Sequence, residues 1–458
     1  MLFTHKTPSG ESTLKVNRSS RRLRPIVSAD GQGVAGHVGG LLVSELADAL
    51  GLTAGLAAAF GRSRRRQHCQ GEVLRDLAVM LALGGDCLAD LSVLRGQQEL
   101  FGPVASGPTA WRTLAAVGDP ERKGMVAARR AARALAWQQG AGPGGTTHIL
   151  DIDATLVTAH SDKENAEPNY KHGYGFHPML CYLDGTEEPL AGVLRGGRAT
   201  ANDAEDHTQL FDAAMAALPD AAQDRAVLVR ADSAGATHAF LGHLADRGAL
   251  FSIGFALRAT VRDAILAAPD DGWRPALRQD NEEREGADVC ELSGLDLHDW
   301  PPGTRAICRR EEPHPGAQLT FSDVNGFRFQ VFITNQADDD IAYLEARHRG
   351  HARVEDRIRC AKDTGLRNFP FSRFALNQAW LELVLTAQAL LAWTQRICLR
   401  GSVAARWEPK RLRLHLLSLA GRLACSARQW RLRLNHRSPW AALLAEAFDR
   451  VRRLPLPV

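Results

Sequence analysis

The chain has 458 residues, 45% hydrophobic and 24% charged, proportions of a globular protein that exclude a disordered one. That length exceeds one ordinary core, so two or three domains are expected. No run approaches the roughly 20 apolar residues of a membrane span, and the N-terminal Met-Leu-Phe-Thr-His-Lys lacks an apolar signal core, so neither a membrane protein nor an exported one is expected. The net charge of +4 is unevenly spread. From Arg349 onward there are 21 Lys+Arg against 7 Asp+Glu, a balance of +14 (21 − 7), leaving −10 for the first 348 residues (4 − 14). So basic a segment points to nucleic acid, although a soluble Arg-rich tail has the same composition. Eight cysteines are scattered without a CxxC pattern and read as reduced thiols, not as a disulfide frame or zinc site.

Residues 1–35 are polar, without periodicity, and read as a flexible arm whose Arg21-Arg22-Leu23-Arg24 can touch a polyanion. Residues 36–140 read as a helical DNA-binding domain. Leu41, Leu42, Leu46 and Leu50 recur at helical spacing, and Leu74, Leu77, Met80 and Leu81 form a second series. Gly84-Gly85-Asp86 interrupts the pattern, and short helices with tight Gly turns fit a helix-turn-helix-like reader. The basic run Arg62-Ser-Arg-Arg-Arg66 falls between helices, and Ser106-Gly-Pro-Thr109 is a cap-and-turn signal.

Gly142-Pro-Gly-Gly-Thr-Thr147 marks a boundary. Beyond it, short apolar runs predict strands over 148–152, 176–182 and 190–194, a helix over 204–218, a strand over 226–230, a helix to about residue 247 and a strand over 250–254. That order predicts an α/β fold, a mixed sheet flanked by helices. Residues 259–340 read as a β-rich insertion. Helix is expected again over 341–400, with a long apolar helix at 374–397. Residues 401–458 read as a basic helical region, including the Arg/Leu stretch 411–434.

Three carboxylates stand out. The first is Asp153 in Ile149-Leu-Asp-Ile-Asp-Ala154; Asp151 is two residues away and shares its strand face, and two aspartates there want a reason because Asp is a poor strand former. Asp232 ends the apolar run Val227-Leu-Val-Arg-Ala-Asp232, and serves equally as a helix cap or a ligand. Glu355 lies on a helical stripe with His348, His351, Arg359 and Lys362, spaced 3, 4, 4 and 3, while Val354 and Ile358 anchor the other side. The stripe reads either as a solvated face or as a metal-binding carboxylate among phosphate-gripping cations. Hard divalent metals need such carboxylate oxygens. Gly192-x-x-x-Gly196-Gly197 lacks the Lys-Ser/Thr of a P-loop, so nucleotide binding is rejected. The polar segment 163–172 reads as a hairpin loop near Asp153.

On these segments the chain resembles a DDE transposase of bacterial insertion sequences, most of all the insertion-sequence thirteen-eighty group. Ile152-Asp-Ala-Thr155 resembles the first-aspartate motif, Arg230-Ala-Asp-Ser-Ala-Gly235 the second, and 348–362 with Lys362-Asp-Thr-Gly-Leu366 the third. The resemblance implies an RNase H-like catalytic core in two parts, 146–258 and 341–400, separated by the insertion. It implies Asp153, Asp232 and Glu355 as catalytic residues and ligands of two Mg²⁺ (or Mn²⁺) ions. It further implies terminal inverted repeats and target DNA as partners, a homodimer on DNA, cut-and-paste chemistry, and a bacterial cytoplasmic, nucleoid-associated setting. In the wider family the glutamate helix reads Y-x-x-R-x-x-x-E-x-x-x-x-x-x-K. Glu355 and Lys362 fit its last two positions, but His348 and His351 stand where Tyr and Arg belong. Arg347, Arg349 and Arg353 are therefore candidates to grip phosphate. Lys362, Arg353, Arg359, Arg349, His351 and His348 make up the expected DNA-contact set, and Trp300 and Trp273 are candidates for base stacking. Two rivals remain open: a catalytically silent or domesticated DNA-binding protein, and a metal-dependent nuclease of the same fold.

Overall fold

The structure is a computed structural model describing residues 30–61, 68–222, 224–313, 323–324 and 326–455; the basic runs 21–24 and 62–66 lie outside the described residues. A short strand β1 (Val34–Ala35) precedes a helical array: α1 (Val38–Ala49), α2 (Leu52–Ala58), α3 (Gln70–Ala82), α4 (Ser92–Arg95), α5 (Gln98–Phe101), α6 (Gly107–Ala115) and α7 (Asp119–Ala136). The expected cap is present, with Ser106 Oγ accepting the Thr109 N–H at 3.4 Å. Next come β2 (Thr147–Ala154), the short β3 (Val157–Thr158), β4 (Glu167–Pro168) and β5 (Tyr174–Phe176), then β6 (Met179–Leu183), β7 (Glu188–Val193), α8 (Ala204–Ala217), β8 (Ala226–Ala231), α9 (His238–Asp246) and β9 (Leu250–Phe255). Residues 163–172 carry β4, which joins β3 and β5 in a small sheet of its own.

After α10 (Ala259–Leu266) the strands β10 (Arg274–Leu277), β11 (Glu283–Glu291), β12 (Arg305–Glu311), β13 (Asp323–Val324) and β14 (Phe327–Thr334) follow. Then come α11 (Ile341–Arg349), α12 (Arg353–Ala361), α13 (Phe374–Trp393), α14 (Pro409–Leu412), β15 (Gly421–Ser426), β16 (Gln429–Leu434) and α15 (Ala441–Arg452).

The main sheet runs β10-β11-β12-β14-β9-β8-β2-β6-β7, with β13 on β14. The β2/β8 and β8/β9 pairs are parallel and the rest antiparallel. The region expected as an insertion thus extends the same sheet, because β14 pairs directly with β9. All five residues of β6 are buried, as in a strand covered on both faces. Met179, Cys181 and Leu183 pack with Leu150, Ile152 and the helices α8 and α9. Leu180 and Tyr182 face the opposite cluster around α13.

That second cluster is large. It joins α1, α3 and α7 to α13 and α15, so the N-terminal helices and the C-terminal region share one core. The Leu74 to Leu81 series lies in its middle, since 11 of the 13 residues of α3 are buried. No single helix among the described residues is long and apolar enough to cross a membrane.

One expectation is corrected outright. The stretch 411–434 is not a continuous helix, and the C-terminal region is not all-helical: β15 and β16 form an antiparallel hairpin, with β1 on the outer side of β15. Arg431-Leu-Arg-Leu434 alternates with period two, the signature of a half-buried strand, and Leu432 and Leu434 pack inward while the arginines stay out.

Candidate active site

The parallel pair β2/β8 builds the site. Asp151 lies opposite Arg230 and Ile152 opposite Ala231, so the next step in the same register brings Asp153 level with Asp232. Both stand at the C-terminal ends of neighbouring strands, roughly 5 Å apart in the sheet, where open α/β sheets form their ligand crevice. Leu150 and Ile152 turn toward α8 and α9, so Asp151 and Asp153 turn the other way, toward α12. Asp232 also caps the turn Ser233–Gly235, accepting the Ala234 N–H at 3.0 Å, so cap and candidate ligand coincide in one residue. At Gly254 a Cβ would come within 2.8 Å of Ser233 N, so only glycine lets β9 pass this turn so closely.

Glu355 comes from α12, whose buried Val354 and Ile358 lie in the cluster around α13, whose Arg357 reaches Asp151 of β2, and which leaves Glu355 exposed. Asp153 feels both other carboxylates. Its pKa is raised to about 6, first by burial and further by Asp232 and Glu355, against the lowering by the Ala154 N–H and His351. Three acids, two from strand ends and one from a helix, therefore lie near enough for Asp153 to feel the charge of the other two. The one group of three His, Cys, Asp or Glu among the described residues whose ligand atoms all lie within 4.8 Å of one another is Asp86, Cys87 and Asp90, so Asp153, Asp232 and Glu355 are set wider than that. Lys362 follows at the end of α12, half-buried and near Asp153, its pKa lowered by burial and by Lys171 while Asp153 acts in the opposite sense.

Asp151 is engaged elsewhere. Arg230 donates to both of its oxygens at 2.7 and 2.9 Å, Arg357 at 2.7 Å, and His351 Nδ1 lies 3.2 Å away. Arg230, Arg353 and Arg357 also donate to Asp184. Burial alone would raise both acids, but the guanidiniums hold Asp184 well below the usual carboxylate range, and His351 with Arg230 lowers Asp151. This ion network clamps α12 to β2 and β8 directly behind the three acids. A Cβ at Gly350 would sit 2.5 Å from the Arg230 guanidinium, so the short turn between α11 and α12 needs glycine there.

The rest of the expected DNA-contact set is dispersed. His348 stacks on Phe332 at 4.3 Å and bonds Ser252; burial, then His351 and Arg230, push its pKa down to about 3, which keeps it neutral. It faces the sheet, because α11 ends at Arg349 and the chain tightens over Gly350–Ala352, which breaks the stripe. Arg349 reaches Glu345 and the Leu277 carbonyl, Arg347 bonds Gln336, and Arg353 pairs with Asp184. Arg359 pairs with Asp356 and Glu408. Trp300 stacks on His238 at 4.0 Å and meets Phe255 edge-on, one residue beyond Gly254 and thus close to the Asp232 turn. Trp273 lies under the Arg310 guanidinium, which is 4.3 Å from its ring centre.

Sequence reasoning passed over Asp184 and Arg357. The signal for Arg357 was present: it interrupts the apolar stripe Val354, Ile358, Ala361, and a charged residue on a buried stripe needs a partner. Asp184 sits just past a strand end, where a turn-forming Asp is ordinary.

Fold and site define an α/β protein with an acidic crevice at the ends of a parallel strand pair. Residues 18–456 match the family described as Transposase DDE domain group 1, and the chain belongs to that family. DNA transposition is the activity that membership carries. Among solved structures, the chain is similar to a piggyBac transposase synaptic complex with hairpin DNA, at 10% identity and a TM-score of 0.41, covering 83% of this chain and 80% of that one. No curated protein matches.

Proposed function

We propose that the protein is a cut-and-paste transposase: it binds the terminal inverted repeats of an insertion sequence, cleaves the ends and joins the exposed 3′ hydroxyl to target DNA. The strand order β7-β6-β2-β8-β9, with α8 and α9 on one face, supports an RNase H-like core in two parts, 146–258 and 341–400. The carrying observation is the electrostatic proximity of Asp153, Asp232 and Glu355, with Asp153 held protonated to about pH 6 by burial and by its two acidic neighbours. Such a set of hard oxygen donors fits divalent Mg²⁺ or Mn²⁺, and the reading takes them as a pair of ions roughly 4 Å apart. Two such ions would activate the attacking oxygen and stabilise the leaving one.

The chain's own residues do the rest. Asp153 and Asp232 are aimed from rigid strand ends, and Glu355 from a helix whose position the Asp151/Asp184 network holds. Lys362 offers an ammonium beside Asp153 for the scissile phosphate, and Trp300 offers a ring near the Asp232 turn for an unstacked base. A homodimer on DNA, an origin in the thirteen-eighty group and a bacterial nucleoid setting belong to the same reading.

The test is incubation of labelled element ends with the protein and Mg²⁺ or Mn²⁺. Joined products support transposition, cuts alone support a nuclease, and a mobility shift without cuts supports a binder. Glu355→Gln is expected to bind ends normally and to lose cleavage by at least about a hundredfold. Cutting at the normal rate would remove Glu355 from the site.

A further inference from the structure

The hairpin β15–β16 lies outside the site described above, and its chemistry is unspent. Its register places Arg422 opposite Arg433, Ala424 opposite Arg431 and Ser426 opposite Gln429 on one face. The other face carries Leu423 and Leu432, with Leu432 and Leu434 on the core. Arg422, Arg431 and Arg433 are exposed, and none pairs with a carboxylate among the described residues. Residues 421–437 contain no Asp or Glu at all. Directly opposed like charges on a sheet are destabilising, so the Arg422/Arg433 pair opposes the fold unless an anion lies over it.

Protection of a sheet edge does not explain the pattern. Arginines on the edge strand β16 would serve that purpose, but Arg422 is in β15, which already has a neighbour on each side. Ala427 and Arg428 at the tip both have positive φ (50° and 64°), the geometry of a tight two-residue turn made here without glycine. Because β1 pairs with residues 421 and 422 only, the distal part projects as a two-stranded ribbon.

We propose that this ribbon is a duplex-DNA reader that enters the major groove arginine face first. A two-stranded β-ribbon fits that groove, and arginine is the side chain that most often reads guanine there, bidentately. The proposal rests on the transposase reading and adds to it a recognition element distinct from the acidic crevice.

The experiment enriches a duplex from a random-sequence library with the full chain. It then compares that duplex with a scrambled one across salt concentrations, for the wild type and for Arg422→Ala/Arg431→Ala/Arg433→Ala. The expected result is at least tenfold weaker binding to the enriched duplex, loss of its preference over the scrambled one, and a log K against log salt slope shallower by up to about 3. The corresponding triple Lys variant is expected to keep the slope and lose the preference, because lysine supplies charge without the bidentate fork. Unchanged binding by the Ala variant, or an equal loss on both duplexes, overturns groove reading while leaving the transposase assignment standing. Failure of the wild-type chain to bind any duplex overturns both.

Discussion

Asp153 shows how much one residue depends on its neighbours. Without metal, burial first and then Asp232 and Glu355 hold its proton to about pH 6. The unfolded chain releases that proton near the ordinary carboxylate value, so between about pH 4 and 6 the fold binds more protons than the unfolded chain and loses stability as pH rises. Above that window the strained carboxylate destabilises the metal-free protein by on the order of 2–3 kcal/mol. Asp153→Asn is therefore expected to raise the metal-free Tm at pH 7 by about 2 °C and to remove most of the stabilisation that Mn²⁺ gives the wild type. Differential scanning calorimetry with and without Mn²⁺ measures both; an unchanged Mn²⁺ response would remove Asp153 from the ligand set. The Asp-x-Asp spacing was legible as a shared strand face. That Asp151 serves the clamp and Asp153 the crevice was not, because Arg230, Arg357 and His351 reach Asp151 from elements up to 206 residues away in sequence.

At the scale of elements, α12 is where sequence and structure differ most instructively. Val354 and Ile358 anchor it as their spacing implies. The stripe itself does not run through, because the chain tightens over Gly350–Ala352 and turns His348 onto Phe332. Arg357 holds the helix to both Asp151 and Asp184, and Arg357→Met leaves the buried Asp151 and the partly buried Asp184 each short of a charged donor. A loss of about 2–4 kcal/mol is expected by urea denaturation, with metal-dependent cleavage reduced as α12 loosens. A change below about 0.5 kcal/mol would show that Arg230 alone suffices as the clamp. The period-two run Arg431-Leu-Arg-Leu434 was legible as a strand, yet Leu spacing over the whole of 411–434 imitates a helix. Only pairing with β15 separates the two.

For the whole molecule, the core joins the two ends of the chain. α1 packs against α15, and Leu444 is fully buried in the cluster that holds α3 and α13. Leu444→Ala is expected to cost about 2–5 kcal/mol and to speed amide exchange in α1 as well as in α15. Exchange confined to α15 would mean that the two ends unfold independently. The order of the main-sheet strands and helices from 147 to 255 follows from hydrophobic periodicity, because both the two-residue and the 3.6-residue periods are local, whereas the short strands β3, β4 and β5 of the separate small sheet do not. The sequence by itself also singled out the three acids, since aspartates at strand ends and a glutamate among cations are anomalies against local propensity. Tertiary structure alone decided that β10–β14 continue the main sheet, that the N-terminal helices share a core with the C-terminus, and which acids Arg230, Arg353 and Arg357 pair with. Strand pairing, core sharing and ion pairing link residues far apart in the chain, and no local period records them.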